Sequence, residues 1–380
     1  MIGIKSDKII VGEGLFDGYL YIDNGRIAEL SREALPCEEL YDCTGRYVSP
    51  GFIDMHTHGA GGYAFMNSTP EDVIAGCRYH LSFGTTCILP TVSAAEISVM
   101  ERAVANIRKA MESGEAPTIL GAHLEGPYLS AKQCGAQNTA FITPPVQADY
   151  QRLITLHGSA IKRWTYAPEN DPEGIFCKYL TSHGIIASAG HTDATYADMQ
   201  VAMENGCNLV THLYSCTSTI TRDHGFRRLG VTETAYLEDD LYVEIIADGK
   251  HLPPELLRLI LKNKDTDRIA LITDSLEIAG TSVKEGNMSG TAFIVEDGVC
   301  KLKDRSAFAG SVATADVLIR TMVKEAGCSV PAAVKMLTKT PAKLLQVNKG
   351  ELAFGKDADV VVFDEDITIE QVFLAGKKIF

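Results

Sequence analysis

Residues 51–58 read Gly51-Phe52-Ile53-Asp54-Met55-His56-Thr57-His58, an apolar run that ends in two histidines and opens into the glycine-rich stretch 59–62. A run that is apolar but for Asp54 and turns polar at its exit is what a buried parallel strand presents, and in a barrel that exit is the active-site face. Histidines at i and i+2 on a strand point to one side, so both imidazoles reach one cation. A lone pair of this kind is more often a hydrogen-bonded surface feature. The strand before it and the glycines after it turn the reading toward a metal.

The same pattern recurs along the chain. Short apolar runs at 48–55, 86–90, 118–123, 163–166, 185–188, 209–212, 242–247 and 269–273 each end in polar or glycine residues. Amphipathic segments at 70–82, 95–112, 195–205 and 253–262 carry apolar residues at three- and four-residue steps. Eight strands alternating with helices predict an α/β fold, a (β/α)8 TIM barrel over residues 48–346, with a doubly wound open sheet as the competing arrangement. Residues 1–47 and 347–380 instead carry short alternating runs broken by glycines, including the hairpin signal Asn24-Gly25. They predict a small β domain assembled from both termini.

Composition narrows the function. Of 380 residues 46% are hydrophobic and 22% charged, ordinary globular usage, and the net charge of −14 argues against nucleic acid or an anionic membrane as partner. No apolar run approaches the ~18 residues that cross a bilayer, and the first fourteen residues lack the apolar block of a signal peptide. Ten cysteines without a C-x-x-C pair read as reduced, mostly buried thiols. The expectation is a cytoplasmic enzyme with a small-molecule substrate.

Every informative polar residue falls at the exit of an expected strand. Beyond His56 and His58 these are Glu125 in His123-Leu124-Glu125-Gly126-Pro127, His191 in Gly190-His191-Thr192, His212 in Thr211-His212-Leu213 and Asp274 in Thr273-Asp274-Ser275. One such histidine is usually a satisfied polar residue; three strand-end histidine sites with two carboxylates around one barrel mouth suit a divalent metal, zinc first, with iron, manganese or cobalt as alternatives. Asp274 reads as a further ligand, a catalytic base, or both. His251 reads as a hydrogen-bond donor to a substrate carbonyl, with a structural loop histidine as the rival. Arg222, Arg227 and Arg228 form a basic cluster, either a solvated loop or an anion clamp. Phe308, Ala309 and Gly310 precede a helix and are placed to shape the pocket through their backbone amides.

The runs PGFIDMHTHG, HLEGPYL, GHTDATY, THLYS, IADGKHL, LITDS and KGELAFGKDADVVVFD, in this order over nearly the whole chain, resemble the amidohydrolase superfamily, and within it the amino-sugar-phosphate deacetylases. The resemblance implies a metal-bearing barrel with a small β-sandwich domain, and hydrolysis of the acetamido group of N-acetyl-D-glucosamine 6-phosphate to D-glucosamine 6-phosphate and acetate. It implies Glu125, His191 and His212 as principal metal ligands, and His56 and His58 as completing a second site bridged by Glu125, so one or two ions per subunit. Asp274 matches the catalytic acid/base and His251 the residue contacting the acetyl carbonyl. Arg227 matches a phosphate-binding arginine that reaches across a homodimer interface, and Ala136, Ser215 and Cys216 fall among the sugar-phosphate contacts.

There are departures: Ser215-Cys216-Thr217 stands where Asn-Ala-Met is usual, and Gln137 where a histidine is common. They leave open a deacetylase for another N-acetylhexosamine phosphate, such as N-acetylgalactosamine 6-phosphate. A catalytically inactive scaffold on the same fold would be expected to lose ligands. A cyclic-amide hydrolase would need a metal-bridging lysine at the exit of the fourth strand, where this chain has Tyr166-Ala167-Pro168.

Overall fold

The computed structural model describes residues 1–288 and 290–380, and the stretch 47–58 is where its two large sheets part. The run expected as one strand is two: Tyr47–Pro50 belongs to the terminal sheet, and Phe52–Thr57 opens the barrel. Gly51 makes the transfer, because a Cβ there would lie 2.1 Å from Thr86 Oγ1 and 2.9 Å from the Asp359 Cβ. Any side chain at this point would force the sheets apart.

The barrel strands are β1 (Phe52–Thr57), β2 (Thr85–Ser93), β3 (Ala122–Glu125), β4 (Ile161–Tyr166), β5 (Ile186–Ala189), β6 (Leu209–Val210), β7 (Tyr242–Ile246) and β8 (Ile269–Ile272). They lie side by side in this order, all parallel. The exits of β8 and β1 are joined by Asp274 N–H donating to the His56 carbonyl (2.9 Å) and His58 N–H donating to the Ser275 carbonyl (2.8 Å), which nearly closes the ring. Strand β3 starts later than the sequence suggests; Ile119 instead makes an isolated bridge to Ile88.

Alternation along each strand divides inside from outside. Leu124, Trp164, Ala187, Val210, Val243 and Leu271 face outward under the helices. Ile53, Cys87, Leu209, Tyr242 and Ala270 fill the barrel floor, against Ala342 and Leu344 of the helix Lys339–Leu345. The helices expected from periodicity form at Pro70–Leu81, Ile97–Glu112, Tyr196–Glu204 and Pro254–Asn263. Two begin at reciprocal caps, Thr69 with Asp72 and Thr195 with Asp198, which satisfy backbone N–H groups that the first turn leaves open.

The terminal domain is a separate, mostly antiparallel sheet whose strands come from residues 2–50 and 360–378. Its Asn24-Gly25 turn has φ +48° and +74°, the left-handed pair that a tight hairpin requires. The sheet curls around its own core, so that Tyr41 meets Phe373 edge-on at 5.1 Å. The strand Val360–Phe363 ties this domain to the barrel: Val360 and Val362 face the small core, whereas Val361 and Phe363 pack into the barrel's outer core. Phe363 meets Tyr47 at 5.3 Å and Phe52 at 6.3 Å.

A four-stranded sheet lies outside the sequence expectations. Between β8 and the helix Ala315–Lys324, four short strands (Glu285–Met288, Thr291–Glu296, Val299–Leu302, Phe308–Gly310) form an antiparallel sheet over the barrel mouth. Among the described residues, no helix is long and apolar enough to cross a membrane. Because Phe363 is fully buried at the junction, Phe363→Ala is expected to lower stability by ~3–5 kcal/mol, read as a shifted midpoint in chemical denaturation.

Candidate metal centre and active site

Glu125 is the last residue of β3, in register with Ser93 of β2 and Thr165 of β4, and inward-facing like His123 two residues before it. Its carboxylate is almost completely buried. Oε1 lies 3.1 Å from His191 Nε2, 3.0 Å from His212 Nε2 and 3.3 Å from His56 Nε2. Oε2 lies 3.3 Å from His58 Nε2. Asp274 Oδ1 joins them, 3.2 Å from His58 Nε2 and 3.4 Å from His56 Nε2. The structure therefore brings together all six residues expected at the metal and its base.

Three imidazoles are aimed by their other nitrogen. His191 Nδ1 is 3.0 Å from the Gln133 carbonyl, His212 Nδ1 is 2.9 Å from the Ser215 carbonyl, and His58 Nδ1 is 3.0 Å from Ser93 Oγ. A carbonyl accepts, so in His191 and His212 Nδ1 carries a proton, and Nε2 is the nitrogen that faces the cluster. His56 is fully buried with neither nitrogen hydrogen-bonded. Such a group is costly unless something else binds it. Donor atoms of Glu125, His191 and His212 lie mutually within 4.8 Å, as do those of His56, His58 and Glu125. The donor set fits one or two divalent cations sharing Glu125.

Backbone strain marks the same residues. His191, His212 and Asp274 have φ of +46°, +29° and +47°, left-handed values that cost roughly 1–3 kcal/mol each at a residue other than glycine. The turn past each strand end swings these side chains into the mouth. Electrostatics follow from the crowding: burial would push Glu125 up, but His56 and His191 hold its carboxyl well below the usual range. Asp274 is likewise driven down to about 2, His56 and His58 overcoming the effect of burial. It is an ionised carboxylate at neutral pH.

Beneath this cluster lies a polar layer that sequence reading missed. Arg163 of β4 and Glu244 of β7 are fully buried and paired, with Arg163 Nη2 donating to Glu244 Oε2 at 2.7 Å. The guanidinium also donates to Thr211 Oγ1 at 2.8 Å, Ser188 Oγ at 3.2 Å and the Met55 carbonyl at 3.2 Å. Glu244 Oε2 stands 3.7 Å below His56 Nδ1. Glu244, a lone charge in the middle of the apolar strand Tyr242–Ile246, was the available signal. His80 was missed too; it links Thr57, Ser275 and Gly59 behind the metal residues, with Nε2 3.0 Å from Thr57 Oγ1. Burial drives it down to about 4, so it is neutral.

Above the cluster opens a cavity of about 260 Å³ lined by His58, Glu125, Ala136, Gln137, His191, His212, Tyr214, Ser215, Cys216, His251, Asp274 and the segment 307–310. Of the residues expected at substrate, Ala136, Ser215, Cys216, His251, Phe308, Ala309 and Gly310 all border it. Gly310 permits a close approach: a Cβ there would lie 3.0 Å from the Asp274 carbonyl, where Ser311 N–H donates at 2.8 Å. Gln137 anchors Glu125, its Nε2 donating to Oε2 at 2.7 Å while its Oε1 accepts from Ala94 N–H at 3.0 Å. Arg227 does not line this cavity. It stands exposed on a hairpin of Thr221–Asp223 and Phe226–Arg228, opposite Arg222.

Residues 47–379 match the amidohydrolase family model, and the chain belongs to this metal-dependent family. Its relatives point to a narrower group. The N-acetylglucosamine-6-phosphate deacetylase of Lysinibacillus sphaericus is 32% identical over 94% of this chain and 92% of its own length. The N-acetylgalactosamine-6-phosphate deacetylase of a Shewanella species (strain ANA-3) is 31% identical over 90% and 85%. The solved structure of the Mycobacterium smegmatis N-acetyl-D-glucosamine-6-phosphate deacetylase, a variant in complex with N-acetyl-D-glucosamine-6-phosphate, superposes with a TM-score of 0.93 at 28% identity, covering 99% of this chain and 98% of that one.

Arg163→Met is expected to cost ~3–5 kcal/mol, because it strands the buried Glu244 charge. Pairing it with Glu244→Leu should restore most of the loss, and thermal unfolding of the two variants checks both outcomes.

Proposed function

We propose that this chain hydrolyses the acetamido group of N-acetyl-D-glucosamine 6-phosphate, giving D-glucosamine 6-phosphate and acetate. The observation that carries the reading is the convergence of Glu125, His56, His58, His191 and His212 beside the ionised Asp274 at the floor of one cavity. Similarity to deacetylases over more than nine-tenths of the chain narrows the substrate. Glu125, His191 and His212 would hold one ion, and His56 and His58 a second that shares Glu125, with zinc the metal that best suits these donors. A bound divalent metal supplies Lewis-acid activation of water and of the substrate carbonyl.

The chain's own residues do the rest. Asp274, ionised and directed at the cluster, accepts the proton of the attacking water and delivers it to the departing amine nitrogen. His251 donates to the acetyl carbonyl oxygen, where negative charge develops. The segment Phe308–Gly310 roofs the cavity and restricts water, with its backbone tied to Asp274 through Ser311. Ser215, Cys216 and Ala136 border the sugar. Arg227 is placed away from its own subunit's cavity, which supports a homodimer in which it serves the phosphate of the substrate bound by the partner.

Metal-loaded protein should release acetate from N-acetylglucosamine 6-phosphate faster than from the galactosamine epimer, and stripping the metal with a chelator should abolish turnover. Asp274→Asn should lower kcat by roughly 10²–10⁴-fold; near-full turnover in that variant would remove Asp274 from the mechanism. Arg227→Ala should raise KM at least about tenfold for the phosphorylated sugar, equal to ~1.4 kcal/mol, and leave KM for N-acetylglucosamine unchanged. A monomeric mass in sedimentation would contradict the shared site.

A further inference from the structure

Asp248 lies three residues before His251 on the loop after β7, and its carboxylate is fully committed to that loop. Oδ1 accepts from Lys250 N–H at 2.9 Å and from His251 N–H at 2.8 Å, while Oδ2 lies 2.8 Å from His251 Nδ1. Both side chains are only 5% exposed. Gly249, at φ +70°, gives the turn that folds the carboxylate back onto the ring. From the other side Phe308 meets the imidazole edge-on at 4.9 Å. His251 is thus clamped between a carboxylate and an aromatic ring, and it borders the cavity that holds Asp274.

A carboxylate only accepts hydrogen bonds, so the proton between Asp248 and His251 belongs to Nδ1. A neutral ring protonated there has Nε2 as an acceptor, the wrong polarity for a carbonyl oxygen. To donate at Nε2 as well, the ring must carry both protons. We propose that Asp248 is the positioning residue of the catalytic histidine: it orients His251 through Nδ1 and balances the charge of a doubly protonated ring, whose Nε2–H meets the developing oxyanion. This rests on the role of His251 given under Proposed function. The pair is a charged donor in a site that would otherwise offer a neutral one, and charge-assisted hydrogen bonds are about twice as strong.

The test uses Asp248→Asn, His251→Gln and the double variant, in metal-loaded full-length protein. Asparagine keeps an oxygen for the two backbone N–H donors and turns its amide toward Nδ1, which moves the ring proton to Nε2. Asp248→Asn is expected to lower kcat about tenfold or more with KM changed less than about threefold, the pattern of an interaction made in the transition state. The double variant should be no slower than His251→Gln alone. In the nitrogen NMR spectrum of histidine-labelled protein, with His251 assigned by its loss in His251→Gln, both Nδ1 and Nε2 should be protonated in the wild type. A ring nitrogen found unprotonated there overturns the inference, as does an Asp248→Asn enzyme with wild-type kcat. If His251→Gln itself retains full kcat, the failure belongs to the role of His251 in the proposed reaction.

Discussion

Burying one carboxylate organises the upper half of this barrel. Glu125 sits at the exit of β3 with almost no contact with solvent, where an isolated charge would be driven neutral. Four imidazoles and the Gln137 amide surround it, and these partners overcome burial and leave it ionised. Each partner needs its own support. The Gln133 and Ser215 carbonyls and the Ser93 hydroxyl hold the distal nitrogens of His191, His212 and His58. The loops that follow the strands thus act as aiming devices for nitrogen lone pairs, and the left-handed backbone at His191, His212 and Asp274 is the strain this aim requires.

The Arg163–Glu244 pair extends the arrangement downward. Small hydroxyls, Ser188 and Thr211, share the guanidinium, so the barrel interior passes from apolar floor to a paired arginine and glutamate to metal residues. Above, the four-stranded sheet meets the site from the other side, through Ser311 on the Asp274 backbone and Phe308 on His251. The two residues assigned to chemistry are therefore supported by the same small element.

Much of this was legible in the chain. Eight apolar runs with polar exits gave the barrel, because parallel strands buried on both faces leave a plain hydrophobic signature. The metal residues lay where the strands stop. Less visible were features that depend on partners far apart in sequence. The partnership of Arg163 and Glu244 exists only once the barrel sets them face to face, and Gln137, which stands where a histidine is common, shows its role only through its bond to Glu125. The break at Gly51 carries a Pro50-Gly51 signal, but apolar residues on both sides of it make the two strands read as one. The sheet over the mouth escaped because its strands, three to six residues long, carry too few apolar positions to show a period.

The pairing of Tyr47–Pro50 with Val360–Phe363 also sets an order of events for a chain emerging from the ribosome. Ser49 finds its partner Val361 only after the barrel segment between them has been made. Until then the amino-terminal strands hold an open edge, and the outer surface around Phe52 lacks its Phe363 cover. The last strands to appear close both at once, so the carboxyl-terminal segment acts as the clasp of the whole molecule, and interrupted synthesis leaves a product with sticky strand edges at its beginning.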